Sequence, residues 1–308
     1  MTSALVGYTG FVGGNLAATH RFDSLYNSKN ITDAFGSHPH LLVYSGVKAE
    51  MFLANKFPEQ DMREMEGAVD NIRRIAPRRL VLISTIGVYA DTRSGDESSA
   101  SADAPGLAPY GRNRLFLEQK VRGLYPDALI VRLPALFGIN LKKNFIYDMI
   151  HVVPKMLRDD KYNELLGGTP LADCYTDRGD GFRLCTVTDP ERLAELRRHL
   201  TDRGFTALNF TDSRSQYQFF NLGHLWGIIE KALETGLHEL TVTSRPLTAA
   251  QVYAHVTGKE FVNEINPNHP VQNLRSRHAG LFGGADGYIF PDSAAMLDDI
   301  KRFVEANR

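Results

Sequence analysis

Cysteine is scarce: the 308 residues hold two, Cys174 and Cys185, with no CxxC and no ligand set nearby. That scarcity argues against a disulfide framework or a zinc knuckle and makes a reducing compartment the expectation. An excess of one charge is also lacking, since 35 Lys and Arg stand against 36 Asp and Glu for a formal net charge of −1. With no bulk attraction to nucleic acid or to an anionic membrane, any anion must be held locally. No run approaches 18 apolar residues and the first residues carry no basic segment, so neither a membrane span nor a secretion signal is expected. The chain reads as cytoplasmic, with no nucleic-acid or membrane partner. Of ten histidines only His38 and His40 stand close together, and Pro39 between them forbids a helix, so no metal site is expected.

What is present is an ordinary globular composition, 43% apolar and 23% charged, in a chain longer than one compact core usually supports. Short β-rich runs at 3–8, 24–27, 41–45, 80–84 and 129–133 are bounded by turn residues and read as strands. Between the third and fourth, Met62, Met65, Val69, Ile72 and Ile75 recur at three- and four-residue steps, which predicts a helix over 61–75 stopped by Pro77. A second helix is predicted after Pro109, ending before Gly123 and Pro126. Such alternation implies right-handed crossovers and a doubly wound parallel sheet, an α/β fold of Rossmann type. A dinucleotide-binding domain over 1–140 is expected, followed by a smaller mixed α/β substrate region over 141–308. The two are expected to interleave, with about 205–243 able to return to the first. Helices are predicted at 191–200 and 222–233, and irregular chain at 158–190 and 264–288.

The strongest local signal is Gly7-Tyr8-Thr9-Gly10-Phe11-Val12-Gly13-Gly14, where the first predicted strand leads into a helix over 12–19. Glycine serves a tight turn there, and a Cβ would keep a pyrophosphate from the backbone N–H groups at the helix N-terminus. At the end of the second strand an NAD site commonly carries Asp or Glu for the ribose 2′-hydroxyl. Here stand Asn27-Ser28-Lys29-Asn30, with one cation and no acid. That favours NADP, with NAD as the alternative, although an exposed loop lysine is ordinarily just solvated.

A second constellation follows the fourth strand. Thr85 falls where ligands of doubly wound sheets bind, outside a strand's carboxyl end. Twenty-five residues on, Tyr110 and Arg114 lie four apart, sharing a helix face. A tyrosine ordinarily titrates at about 10. A fixed cation about 4 Å away would favour phenolate by up to roughly 4 kcal/mol, or about three pKa units. A Thr85 hydroxyl could orient the same substrate oxygen for proton transfer. The alternative for either half alone is a capping tyrosine beside a solvated arginine.

Gly7/Gly10/Gly13, the Ser84-Thr85-x-x-Val88-Tyr89 run, Tyr110-x-x-x-Arg114 and Arg132-Leu133-Pro134-x-x-Phe137-Gly138 occur in one order along the chain. Together they resemble the extended short-chain dehydrogenase/reductase superfamily, in its NAD(P)-dependent epimerase/dehydratase branch, over residues 1–150 and more thinly to about 257. The resemblance implies an enzyme in which Thr85 hydrogen-bonds the reacting oxygen, Tyr110 transfers the proton, and Arg114 stands where the family has the lysine that binds the nicotinamide ribose. It implies cofactor contacts at Gly7, Gly10, Phe11, Val12, Gly13, Asn27, Ser28, Lys29, Ser45, Gly46, Val47, Leu133, Pro134 and Ala135. Asn144 matches a residue that contacts the substrate diphosphate, and Tyr217 stands where the family often has a phosphate-pairing arginine, with Arg214 three residues earlier. A homodimer through helices including 61–75 and 110–124 is implied by analogy.

Two departures bear on function: arginine for lysine at 114, and the missing arginine at 217. Arginine keeps the charge but is planar, bulkier and never deprotonates. Ile86-Gly87 follow Thr85, so there is no Asp-Glu pair of the sugar-dehydratase kind. The expected activity is NADP-dependent oxidation, reduction or epimerisation of a sugar, most simply a nucleotide-linked one. A reductase and an epimerase share this half-reaction, so both stay open. The alternatives are a catalytically silent NADP(H) sensor or scaffold and a reductase of a non-sugar carbonyl. Arg275-Ser-Arg277-His278 reads either as an anion clamp or as a solvated loop.

Overall fold

The structure is a computed structural model and describes residues 2–308. Along the chain run β1 (Ser3–Val6), α1 (Phe11–Thr19), β2 (Ser24–Tyr26), β3 (Leu41–Tyr44), α2 (Met51–Lys56), α3 (Pro58–Ile75), β4 (Arg79–Thr85), α4 (Pro109–Leu124), β5 (Leu129–Leu133) and β6 (Ala135–Phe137). Next come α5 (Phe145–His151), β7 (Met156–Arg158), α6 (Asp159–Leu166), β8 (Tyr175–Asp177), β9 (Phe182–Cys185) and α7 (Pro190–Asp202). The remainder holds β10 (Gln216–Tyr217), β11 (Phe219–Asn221), α8 (Leu225–Glu234), β12 (Glu239–Thr241), β13 (Leu247–Thr248), α9 (Ala249–Thr257) and α10 (Ser293–Ala306). None of these helices is long and apolar enough to cross a membrane.

Two compact units share the chain. The first takes Met1–Leu141, Gln216–Leu247 and Pro270–Met296; the second takes Lys142–Ser215, Thr248–His269 and Leu297–Arg308. In the first, a six-stranded sheet has the order β12-β5-β4-β3-β1-β2, all pairs parallel. Period-two alternation sorts its side chains into two cores. Leu5, Val43, Val81 and Val131 pack on one face with Leu16 of α1 and Ile229 of α8. Ala4, Val6, Leu42, Leu80, Leu82 and Ile130 pack on the other with Met65, Ile72 and Ile75 of α3 and Leu117 and Val121 of α4. This is the doubly wound Rossmann-type arrangement.

α3 buries Asp61, Met65, Ala68, Ile72 and Ile75, steps of four and three that make one stripe. Pro58 at its first turn starts it three residues earlier than the periodicity alone predicts, and Ala76 in the left-handed conformation closes it. The return of Pro270–Met296 to the first unit was not visible in the irregular composition of 264–288. Its anchor is Gln218, fully buried, whose side-chain amide donates to the Ser244 and Leu274 carbonyls and accepts from the Leu274 N–H.

The second unit holds an antiparallel sheet in the order β7-β9-β8. With α6 and α7 it encloses a core of Leu157, Leu165, Leu166, Tyr175, Leu196 and Leu200. The expectation of irregular chain at 158–190 is therefore corrected. Its strands are only three or four residues long and are separated by Gly- and Asp-rich turns, so their alternation is too brief to read from sequence.

Candidate active site

Strand order reverses between β1 and β3, the neighbours on opposite sides of the first crossover, and ligands of such sheets bind outside the carboxyl ends at that switch. The glycine turn lies there. Gly7 has φ +94°, a conformation that disfavours a side chain, and a Cβ on it would stand 2.6 Å from the Ser45 carbonyl oxygen. A Cβ on Gly13 would collide with the Gly7 carbonyl, so the helix packs directly on the turn. Gly10 caps α1 without a side-chain bond, leaving the first-turn amides of Phe11, Val12 and Gly13 without a side-chain cap. An uncapped helix start behind a bare glycine turn can accept a phosphate group. Buried Asn15 ties α1 to the chain beyond β6, donating to the Phe11 and Ile139 carbonyls and accepting from the Ile139 N–H.

Ser45 seals the neighbouring strand end: its N–H and Oγ both donate to the Val6 carbonyl. Gly46 is exposed beside it and Val47 is half-buried. Leu133 ends β5 in the core, while Pro134 and Ala135 are half-buried. At the tip of β2, Asn27 Oδ1 accepts the Lys29 N–H and Asn30 Oδ1 accepts the Asn27 N–H, so both amides are engaged in shaping the turn. Ser28 and Lys29 are exposed. Among the described residues the Lys29 ammonium has no ion-pair partner.

Thr85 is the last residue of β4, within the strand. Its Oγ1 accepts the Gly87 N–H at 3.0 Å, opening a one-turn 3-10 helix over Ile86–Val88. α4 starts at Pro109, a residue that suits a helix's first turn. It lies so close that a Cβ on Gly111 would meet the Gly87 carbonyl, while one on Gly87 would stand 2.8 Å from the Tyr110 ring and 3.4 Å from Thr85 Oγ1. Two glycines thus let strand end and helix start touch, and bring the Thr85 hydroxyl and the Tyr110 ring to one place. The Tyr110 N–H is capped by Asn55 Oδ1 at 2.9 Å. Among the described residues no protein group hydrogen-bonds the Tyr110 hydroxyl.

Arg114 departs from the simple expectation of an open cation. It is 4% exposed, with its guanidinium 4.4 Å above the Tyr110 ring centre. Nη1 donates to both Asp61 oxygens at 3.2 and 3.0 Å, and Nη2 donates to the Lys48 carbonyl at 2.6 Å and to Asp61 at 3.2 Å. Asn113 binds the same carboxylate and the Pro58 carbonyl. The guanidinium charge is met within the protein. Asp61 shows no local motif. It is the first residue of α3's buried stripe, and a carboxylate on an otherwise apolar stripe is the signal that could have revealed it.

The three residues expected at the substrate fall apart in the chain's division: Asn144 and Arg214 belong to the second unit, Tyr217 to the first. Asn144 caps α5 at φ +115° and accepts the Tyr147 N–H. Arg214 is bonded to Asp212 and to Glu264, both at 2.8 Å. Those bonds to Arg214 hold the Asp212 carboxyl well below the usual range, against the opposing effect of desolvation. A phosphate would have to displace a carboxylate to reach the Arg214 guanidinium. Arg277 is engaged in the same way by Glu239 at 2.9 Å, and Arg275 lies over the Tyr288 ring, so neither is an open anion clamp. Among the described residues no three His, Cys, Asp or Glu side chains gather as a metal cluster.

No family model matches the sequence, and no curated protein matches it. Solved structures do match along the whole length. UDP-glucose 4-epimerase of Thermotoga maritima, determined with UDP-glucose, is 12% identical with TM-score 0.61, covering 99% of this chain and 98% of that one. The dTDP-4-dehydrorhamnose reductase of Bacillus anthracis, in complex with NADP, is 15% identical with TM-score 0.63, covering 99% of each. RMD of Pseudomonas aeruginosa, complexed with NADPH, is 13% identical with TM-score 0.61, covering all of both. At these identities the likeness is one of fold. The chain has the Rossmann-type α/β fold of these proteins.

Proposed function

We propose that this protein is an NADP-dependent oxidoreductase or epimerase acting on a nucleotide-linked sugar. The observation that carries the reading is the meeting of Thr85 and Tyr110 across Gly87, at the carboxyl end of a sheet whose first strand runs into the glycine turn. Gly7, Gly10, Phe11, Val12 and Gly13 would hold the pyrophosphate, with Ser45, Gly46, Val47, Leu133, Pro134 and Ala135 along the rest of the dinucleotide. Lys29, with no carboxylate beside it at the tip of β2, would pair a 2′-phosphate, which favours NADP. Bound there, the nicotinamide supplies hydride exchange with a substrate carbon. Because Thr85 Oγ1 already accepts the Gly87 N–H, its own O–H is left to donate to the substrate oxygen. The Tyr110 phenol moves that oxygen's proton, and the Arg114–Asp61 pair holds its ring from behind. Asn144 and Tyr217 are the substrate contacts of this reading. Solved proteins sharing the fold were determined with UDP-glucose, with NADP and with NADPH, which supports the class. The reading carries with it a cytoplasmic homodimer.

Engagement of Arg114 by Asp61 favours a second reading, a silent dinucleotide sensor, because neither terminal nitrogen is open to a ribose. The deciding measurement is turnover of a nucleotide-sugar panel with NADP(H), alongside NADPH fluorescence titration. Tyr110→Phe is expected to lower kcat by about 10² to 10⁴ while leaving NADPH affinity within about twofold. Unchanged turnover in that variant removes the tyrosine from the chemistry. Tight NADPH binding with no turnover by the wild type selects the sensor.

A further inference from the structure

Behind the reacting pair runs a chain of buried polar side chains that the chemistry above leaves unused. Glu118 lies on α4, eight residues after Tyr110 and four after Arg114, and so on the same helix face. It is 1% exposed. Its Oε1 accepts Ser84 Oγ at 2.6 Å and Arg132 Nε at 3.1 Å, and its Oε2 accepts Arg132 Nη2 at 2.7 Å. Arg132 Nη1 goes on to the Tyr89 hydroxyl and the Glu97 carbonyl, and the Tyr89 hydroxyl shares a bond with Thr241 Oγ1 at 2.6 Å. The Glu97 carboxylate then accepts from the Thr241 N–H, Ser276 Oγ and the Arg277 N–H.

Ser84, Arg132 and Thr241 are register partners on three adjacent strands. They form one polar layer across the sheet, a single residue short of Thr85. A well-packed apolar layer would serve stability equally well, since buried ion pairs often contribute little net free energy. What such a layer supplies is a fixed geometry: every oxygen of Glu118 is committed, and neither strand end nor helix can slide without breaking a charged bond.

We propose that Glu118 is a positioning residue which, through Ser84, locks the tip of β4 to α4, so that the Thr85 hydroxyl and Tyr110 phenol converge on one substrate oxygen. The proposal rests on reading Thr85 and Tyr110 as the reacting pair. Glu118 belongs to the helix that carries Tyr110 and bonds Ser84 of the strand that carries Thr85, and Ser84 is joined to Thr85 by one peptide.

Ser84→Ala removes one bond and leaves the Glu118–Arg132 pair whole, whereas Ser84→Thr retains the hydroxyl. Three measurements are made on each: amide hydrogen exchange at Gly87, whose N–H reports the Thr85 geometry; NADPH binding by fluorescence; and steady-state kinetics with UDP-glucose and with a dTDP-4-keto-6-deoxy sugar. For Ser84→Ala, Gly87 exchange should speed about tenfold and kcat fall about tenfold, with KM and NADPH affinity within about twofold. Ser84→Thr should restore both. Unchanged Gly87 exchange in Ser84→Ala overturns the proposal, as does exchange that accelerates evenly over the whole sheet, which would mark a purely structural bond. A wild type that fails to bind NADPH would sink the functional reading instead, and the exchange measurement still decides whether Ser84 holds Thr85.

Discussion

Two cations stand in motifs of equal promise, and the protein treats them oppositely. Lys29 at the tip of β2 is exposed, with no ion-pair partner among the described residues. Arg114, in the seam between α3 and α4, is buried against Asp61, the Lys48 carbonyl and the Tyr110 ring. A charge on a short turn remains available to a ligand because nothing packs on it. A charge on a buried helix face must find a counter-ion, since desolvating an unpaired guanidinium is costly. Arg114 found one 53 residues away in sequence. A cation in a motif is therefore a ligand-binding group only where the fold leaves it open.

Removing the counter-ion should break this contrast most strongly. Asp61→Ala strands Arg114 and unpins Asn113, with an expected destabilisation of about 3–5 kcal/mol in urea unfolding. Lys29→Ala in the same assay should change stability by less than about 0.5 kcal/mol. Equal losses in the two variants would show that the pair contributes nothing special.

A half-buried acid without a partner sharpens the comparison next. Asp148 on α5 has no side-chain hydrogen bond among the described residues, and burial pushes its carboxyl up to about 7. A folded-state value raised above the ordinary 3.8 means that the native protein holds a proton the unfolded chain releases. That contribution to stability is fully present below about pH 4 and is lost as pH rises through 7. Asp148→Asn should flatten the fall across that window, by on the order of 4 kcal/mol. Melting temperatures from pH 4 to 8 read it, and parallel curves for the two proteins would refute it.

The smallest effect is expected at the exposed cation. Lys29→Ala should weaken NADPH about tenfold, or ~1.4 kcal/mol, and leave NADH unchanged. Salt should diminish the difference, as it does for any exposed charge pair. Equal loss for both nucleotides would mean that the β2 tip does not select the 2′-phosphate.

Much of the first unit was legible because its signals are local. Five strands, the glycine turn and the two helices that carry Met65 to Ile75 and Tyr110 to Val121 announce themselves through alternation, three-and-four spacing and Pro or Gly at element ends. The second unit was harder to read. Its strands of three or four residues are too short to show a period. In the first unit α2 escaped for another reason: Met51, Phe52 and Leu53 are exposed and Ala54 alone of its residues is buried, so it has no stripe to betray it. Within the candidate site, Thr85 and Tyr110 were readable as residues, but their contact was not. It depends on Gly87 and Gly111 allowing two backbones to approach, a relation between segments 24 residues apart.

By itself, then, the sequence determined the sheet's strands, the bare turn after the first of them, and the residue types gathered at the strand ends, all of which follow from near-neighbour sterics and hydrophobic period. Which charges stay open and which are neutralised was settled only in three dimensions. Asp61 on Arg114, Glu118 on Arg132 and Asp212 and Glu264 on Arg214 are all choices of counter-ion. Electrostatic compensation acts through space at a few ångströms and depends on burial, neither of which is written in the order of the residues.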